Sequence, residues 1–157
     1  MDEFTSYDAL LLRSDGRTPS IVSLLTVSAT TDSIYSPISA RDYGRIPFPE
    51  VHMQYIAQDL PRAWHSQIAP RLRGMSADFA SPYIIFYPIV SEDGMPFPVN
   101  RTTRHIQGMK FNIEQAWRGN LVVAKFTDFR MNTLTNMSIA DYPVVRNYLS
   151  SNGPYVT

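Results

Sequence analysis

The arginines of this sequence form clusters whose spacing could support the binding of anions. One cluster places Arg71 and Arg73 shortly after Trp64, and another contains Arg101 and Arg104. Guanidinium groups make paired hydrogen bonds to phosphate oxygens, and aromatic rings stack on nucleic-acid bases. The clusters therefore predict weak binding of nucleic acid or another polyanion. This is the second hypothesis, because the chain has 14 basic and 14 acidic residues and no recognisable RNA-binding motif.

Catalytic and metal-binding patterns are not found in the sequence. There is no cysteine, and the three histidines lack the spacing that places two metal ligands on one helical face. A nucleophile turn of the Gly-x-Ser-x-Gly type and a glycine-rich phosphate loop are also missing. We therefore expect neither a metal nor a cofactor. Carboxylates such as Asp128 and Asp141 leave a third hypothesis open, an enzyme with an unrecognised acid–base site.

The uncharged segment at residues 82–90 raises the question of self-association. The alternation of its side chains predicts a strand that is apolar on both faces. Pro88 has no N–H to donate to a neighbouring strand, so it indicates an edge strand or a bulge. An edge strand with two apolar faces needs cover, either from the chain's own long loop or from a second copy. The leading hypothesis is therefore a non-enzymatic interaction or self-assembly module, a homodimer or larger assembly whose contact includes Tyr83, Phe86 and Tyr87.

The composition and the predicted strands and helices indicate a single α+β domain over residues 1–157. The composition, 44% hydrophobic and 18% charged, is that of a folded domain. Strands at 10–13 and 20–28 flank an Asp-Gly turn and predict a hairpin. A long connection with several prolines follows at about 29–49. We expect a mostly antiparallel sheet that is built from hairpins, with about three helices.

The helices are predicted from capping residues and apolar spacing. A helix should begin at Pro49 and Glu50, and a second should place Trp64 and Ile68 four residues apart. A short helix follows Asn112, and residues 97–111 are predicted as an extended return. The last helix starts at Ser138, with Asp141 and Pro143 in its first turn. Residues 120–128 predict a central strand.

Four stretches of the C-terminal half resemble a known family: "PYIIFYPIVSEDGMPFPVNR", "IQGMKF", "AWRGNLVVAKFTD" and "SIADYPVVRNYL". Over about residues 82–149 they look like an uncharacterised family of small intracellular proteins from mushroom-forming fungi. The resemblance implies a cytoplasmic or nuclear protein and carries no catalytic residue. Separately, the sequence has no apolar run long enough to cross a membrane and no recognisable signal peptide, so we expect no membrane partner.

Overall fold

One antiparallel sheet joins the strands of the protein in a computed structural model, which describes residues 3–28, 50–51, 64–69, 81–88, 96–128 and 133–155. The strands are β1 (Glu3–Leu12), β2 (Ser20–Ser28), β3 (Glu50–Val51), β4 (Trp64–Ala69), β5 (Tyr83–Pro88), β6 (Leu121–Phe126) and β7 (Leu134–Thr135). The α-helices of the described part are α1 (Arg101–Gln107) and α2 (Tyr142–Ser151). Short 3₁₀ helices span Gly108–Lys110, Ile113–Gln115 and Ile139–Asp141.

The strand order is β3-β2-β1-β6-β5-β4, and every pairing is antiparallel. The hairpin of β1 and β2 forms around the Asp-Gly turn, as the sequence predicts. Strand β1 pairs with the first half of β6, and β7 pairs with the last two residues of β6. Strand β6 therefore lies at the centre of the sheet, and the predictions of an antiparallel α+β fold and of a central strand at 120–128 are confirmed.

Each face of the sheet buries its own apolar cluster. On one face, Tyr83, Ile85 and Tyr87 of β5 pack with Trp117 and with the apolar side of α2. On the opposite face, Ile84 and Phe86 pack with residues of β1 and β6. The alternation predicted for this strand is thus confirmed. Since each fully buried apolar side chain stabilises the fold by roughly 1.5–3 kcal/mol, β5 is a major contributor to the core.

Strand β5 is an interior strand, so the edge position predicted from Pro88 is wrong. The strand pairs with β4 along its whole length, and with β6 from Tyr83 to Phe86. Pro88 lies two residues beyond the last pair with β6, so its missing N–H interrupts no hydrogen bond of that ladder. A proline at the end of an interior strand is compatible with the sheet where the neighbouring ladder has already ended.

The last helix begins as the sequence predicts. The Ser138 hydroxyl accepts a hydrogen bond from the Ala140 N–H at 3.3 Å, and the Asp141 carboxylate accepts one from the Ser138 N–H at 2.9 Å. This reciprocal pair is a capping box, which satisfies N–H groups that the first helical turn leaves free. The chain first makes a 3₁₀ turn and then continues as α2, with Pro143 in its first turn.

Helix α1 replaces the extended return that was predicted for residues 97–111. Asn100, which is fully buried, accepts a hydrogen bond from the Thr103 N–H at 3.0 Å and caps the helix. Its amide also donates to the carbonyls of Leu12 and Gly119, at 3.0 and 2.8 Å. Threonine has a low helix propensity, so two consecutive threonines concealed this helix in the sequence. Tertiary hydrogen bonds from one buried asparagine fix where α1 starts.

Three other predicted elements differ from the structure. The second predicted helix is wrong, because the segment that contains Trp64 and Ile68 forms β4. The predicted helix after Asn112 is reduced to a 3₁₀ turn, although Asn112 does cap it by accepting from the Glu114 N–H at 3.0 Å. Glu50 pairs with β2 as part of β3 and does not begin a helix. The predicted loop at 29–49 and the remainder of the first predicted helix lie outside the described residues.

Candidate functional site

The turn between β1 and β2 is fastened to the first turn of α1. The Arg101 N–H donates to the Ser14 carbonyl at 3.0 Å, and the Thr102 hydroxyl donates to the Arg13 carbonyl at 3.3 Å. The Ser14 N–H in turn donates to the side chain of Asn120 at 2.9 Å. These bonds place residues 13–17 beside α1, although most of the sequence separates the two segments.

This docking places the turn that carries two arginines beside the helix that carries two more, and we call these four residues the arginine surface: Arg13, Arg17, Arg101 and Arg104. Three of them are exposed and Arg13 is half-buried. Asp15 is the acidic residue of the turn, and it pairs with Arg17 at 3.1 Å. Four arginines and one aspartate leave an excess of three positive charges.

The arginine surface has a local charge that the whole chain lacks. The protein carries 14 basic and 14 acidic residues, so its positive field is confined to particular regions. The guanidinium of Arg104 lies over the ring of Phe111, 5.0 Å from its centroid. Stacking on a ring limits the conformations of the guanidinium and leaves its N–H groups able to bind phosphate oxygens. The arrangement is suited to binding an extended anion.

Only half of the arginines predicted for a polyanion site lie in the described part of the chain. Arg101 and Arg104 lie three residues apart on α1 and are exposed. Arg71 and Arg73 lie outside the described residues. Arg13 and Arg17 were missed, because only the tertiary hydrogen bonds between the turn and α1 bring them to this place. The Asp-Gly turn signals the hairpin but contains no information about what the hairpin packs against.

The predicted self-association residues are buried within the chain. Tyr83, Phe86 and Tyr87 are 6%, 0% and 5% exposed. The ring of Phe86 meets Trp64 edge-on with centroids 5.3 Å apart, and Tyr87 meets Trp117 in the same way at 5.2 Å. A second copy could not contact these side chains without opening the core. Self-association stays a prediction.

A polar cluster fixes the start of α2 to the sheet. One carboxylate oxygen of Asp141 accepts hydrogen bonds from the Tyr83 hydroxyl at 2.7 Å and from the Lys125 ammonium at 3.0 Å. Burial acts to raise the pKa of the Asp141 carboxyl, but the hydrogen bonds from Ser138, Tyr83 and Lys125 outweigh it and lower that pKa. Burial, together with the bond to Asp141, raises the pKa of the Tyr83 phenol. A carboxylate held in this way is a poor proton donor, and its three hydrogen bonds hold the start of α2 against the sheet.

A second buried network ties the C-terminal residues to β4. The Gln67 amide group donates to the Tyr148 hydroxyl at 2.9 Å and to the Gly153 carbonyl at 3.0 Å. Its oxygen accepts from the Tyr155 N–H at 2.7 Å. Burial raises the pKa of the Tyr148 phenol to about 12, so the hydroxyl stays neutral at physiological pH. Gln67 is only 2% exposed, and all of its polar atoms that face the core have partners.

No group of histidine, aspartate and glutamate side chains in the described ranges is arranged to hold a metal ion. His65 packs beside the ring of Tyr87 at 5.4 Å, and His105 is exposed on α1. His52 lies outside the described residues. In the same part of the chain, no helix is long and apolar enough to cross a membrane.

Comparisons with known proteins give no relative for this chain: no family model, no characterised protein and no solved structure matches it. The resemblance to small fungal proteins stays a prediction. Any functional conclusion therefore depends on the geometry of the chain itself.

Proposed function

We propose that this protein is a binding module for a polyanion, and that nucleic acid is the class of partner. The arginine surface carries the proposal, since hydrogen bonds between two distant segments hold the turn with Arg13 and Arg17 beside the helix with Arg101 and Arg104. Such a surface would bind phosphates of the backbone, which supply most of the non-specific affinity of nucleic-acid-binding proteins. The contacts would be independent of base sequence.

Two features support nucleic acid over a small anion. The guanidinium groups are spread over a turn and a helix, so they match several phosphates better than one. Phe111 is half-buried beneath Arg104 and offers an aromatic ring at the border of the surface. Bases of a single strand stack on such rings, which contributes affinity that charge alone does not provide.

The test is fluorescence anisotropy with a labelled single-stranded oligonucleotide at several salt concentrations. We expect binding at about 50 mM salt and a steep loss of affinity by about 200 mM, because neutralised phosphates release counterions. The double variant Arg101→Gln/Arg104→Gln should weaken binding. It should also reduce the slope of log affinity against log salt by about 1.4, or roughly 0.7 for each lost phosphate contact.

A matched control is Arg146→Gln, which removes one exposed arginine from α2, outside the arginine surface. This variant should leave the affinity and the salt slope unchanged. Equal effects of Arg146→Gln and Arg101→Gln would contradict the proposal, because they would show that overall charge and no particular surface determines binding. Absence of binding to the oligonucleotide at low salt would also overturn it.

A competition with heparin separates nucleic acid from polyanions in general. If the oligonucleotide stacks on Phe111, the Phe111→Leu variant should lose much more affinity for the oligonucleotide than for heparin, which contacts only the arginines. Unchanged oligonucleotide binding by this variant would reduce the proposal to a surface for any polyanion. Light scattering on the same samples tests the separate prediction of self-association.

A further inference from the structure

The turn that carries Arg13 and Arg17 also contains a threonine followed by a proline, Thr18 and Pro19. Thr18 lies between the end of β1 and the start of β2, and its side chain is exposed. Its hydroxyl forms no hydrogen bond within the described part of the chain. The proline favours an extended backbone at Thr18. An accessible hydroxyl that is followed by proline is the target of proline-directed protein kinases.

Two residues of the arginine surface lie close to Thr18. Arg17 precedes it directly, and the Arg17 guanidinium is paired with Asp15 of the same turn at 3.1 Å. Arg101 of α1 packs against Gly16, where an added Cβ would lie 3.1 Å from the Arg101 Cβ and 3.8 Å from its Cδ. The stem of Arg101 therefore begins against the turn, two residues before Thr18. An anionic group on the Thr18 oxygen would be near positive charges from both segments of the arginine surface.

A second dipeptide of this kind, Ser81 and Pro82, is held in the sheet. Ser81 is half-buried and Pro82 is buried. The Pro82 carbonyl accepts a hydrogen bond from the Phe126 N–H at 2.9 Å. A kinase could bind Ser81 in an extended form only if this end of β5 left the sheet. The sequence has a third such serine, Ser36, which lies outside the described residues.

We propose that Thr18 is a phosphorylation site that regulates the arginine surface. A kinase transfers the γ-phosphoryl group of a nucleoside triphosphate to the Thr18 oxygen. The new bond joins that oxygen to the γ-phosphorus, the bond from this phosphorus to the bridging oxygen breaks, the nucleoside diphosphate leaves, and the hydroxyl proton passes to a base of the kinase. The regulation rests on the proposed function, because a polyanion must bind the arginine surface before a phosphate can compete with it.

The charge of one phosphate is large beside that of the arginine surface. Four arginines and Asp15 give an excess of three positive charges. A phosphothreonine adds about −1.5 to −2 at pH 7, so the excess falls to about one. Charge-assisted hydrogen bonds from guanidinium groups to phosphate oxygens would also occupy groups that bind a polyanion. Phosphorylation should therefore weaken the binding of nucleic acid.

The first test treats the purified protein with a proline-directed protein kinase and ATP, and locates the phosphate by mass spectrometry. Thr18 should be modified, and Ser81 should not. The Thr18→Ala variant should lose this phosphate. Absence of phosphate at Thr18 would overturn the proposal. Modification of Ser81 at the same rate would overturn it as well, because accessibility in the fold would then not select the site.

The second test measures the pairing of the phosphate with the arginines in the absence of any polyanion. Phosphorus NMR of the phosphorylated protein should give a pKa of the phosphate below its usual value of about 6, because nearby guanidinium groups favour the dianion. Arg101→Gln should raise this pKa, and it keeps the backbone bond from residue 101 to Ser14. Arg146→Gln on α2 is the control and should leave the pKa unchanged. Equal values in the parent and Arg101→Gln would contradict the pairing.

The third test repeats the anisotropy titration with the phosphorylated protein. Loss of about two positive charges should reduce the salt slope by about 1.4, which corresponds to about sixtyfold weaker binding at about 50 mM salt when the slope is extrapolated to about 1 M. Thr18→Glu adds one charge and should weaken binding by about eightfold. Thr18→Gln is the control of similar size and should bind as the parent does.

Equal losses of affinity with Thr18→Glu and Thr18→Gln would overturn the proposal, because the size of the side chain and not its charge would then be the cause. If the unmodified protein does not bind the oligonucleotide, the proposed function fails. The first two tests still decide whether Thr18 is phosphorylated and whether its phosphate pairs with Arg101, so the two failures are distinguishable.

Discussion

Replacement of Asp141 with alanine should be among the most destabilising single changes in the described part of the chain. Its carboxylate accepts three hydrogen bonds, from Tyr83, Lys125 and the Ser138 N–H. The Tyr83 hydroxyl is buried and would lose a charged acceptor, at a cost of about 1.5–3 kcal/mol. Loss of the capping contact adds about 1 kcal/mol. Lys125 is about a quarter exposed and regains water, so its loss adds less than about 1 kcal/mol.

The expected total for Asp141→Ala is therefore about 2.5–5 kcal/mol in the free energy of unfolding, measured from urea transitions with an unchanged slope. Ser138→Ala is the control, because it removes only the other half of the capping box and should cost about 1 kcal/mol. If both variants shift the urea midpoint equally, Asp141 acts only as a cap, and the links to Tyr83 and Lys125 contribute nothing.

The dependence on pH provides a second check of the same reasoning with Asp141→Asn, which keeps the size of the side chain. The pKa of Asp141 is lower in the folded protein than its ordinary value of 3.8. Its contribution to stability is therefore present above pH 3.8 and is lost as the pH falls through the folded pKa. The stability difference between the parent and Asp141→Asn should shrink on acidification below that value. If this stability difference does not change with pH, the charged hydrogen bonds of Asp141 are not its source.

Two further substitutions test how distant segments are held together. Gln67→Leu should lower the free energy of unfolding by about 2–3 kcal/mol, because the buried Tyr148 hydroxyl and the Gly153 carbonyl lose their bonds to Gln67. The Tyr155 N–H also loses its bond to Gln67, so its amide should exchange hydrogen faster. Gly119→Ala should cost about 2 kcal/mol or more, because Gly119 has a φ of 72° and a new Cβ would lie 2.6 Å from the Pro88 ring. Gly108→Ala is its control: φ is 54°, ψ is −120° and no atom lies within 4 Å, so it should show backbone strain alone, about 1–3 kcal/mol. A cost of Gly119→Ala no larger than that of Gly108→Ala would contradict the predicted clash.

Local signals in the sequence predicted the elements that depend on neighbouring residues. The Asp-Gly turn predicted the β1–β2 hairpin, and Ser138 with Asp141 predicted the start of α2. The faces of β5 followed from the simple alternation of its side chains. In each case the structure-determining contacts lie within a few residues or repeat with a fixed period, so they leave a pattern that can be read.

Elements that depend on distant partners could not be predicted in the same way. Strand β4 contains Gln67, a polar residue that is buried because it binds partners near residue 150. Without knowledge of those partners, the sequence of β4 could be mistaken for a helix with one polar residue. Helix α1 depends on Asn100 binding the carbonyls of Leu12 and Gly119. The arginine surface has the same origin, because its two halves meet only through the docked turn. Polar contacts between remote residues leave no periodic signal.

The central position of β1 has a consequence for how the protein is made. Residues Leu10–Leu12 pair with Leu121–Val123, so β1 waits for a partner strand that the ribosome adds far downstream in the sequence. Until then the hairpin of β1 and β2 keeps one side unpaired, with apolar leucines exposed to other nascent chains. Pairing across most of the chain also gives a high contact order, for which slow folding is expected. We expect the open edge of this hairpin to favour incorrect strand pairing in the newly made chain until residues 121–123 are available.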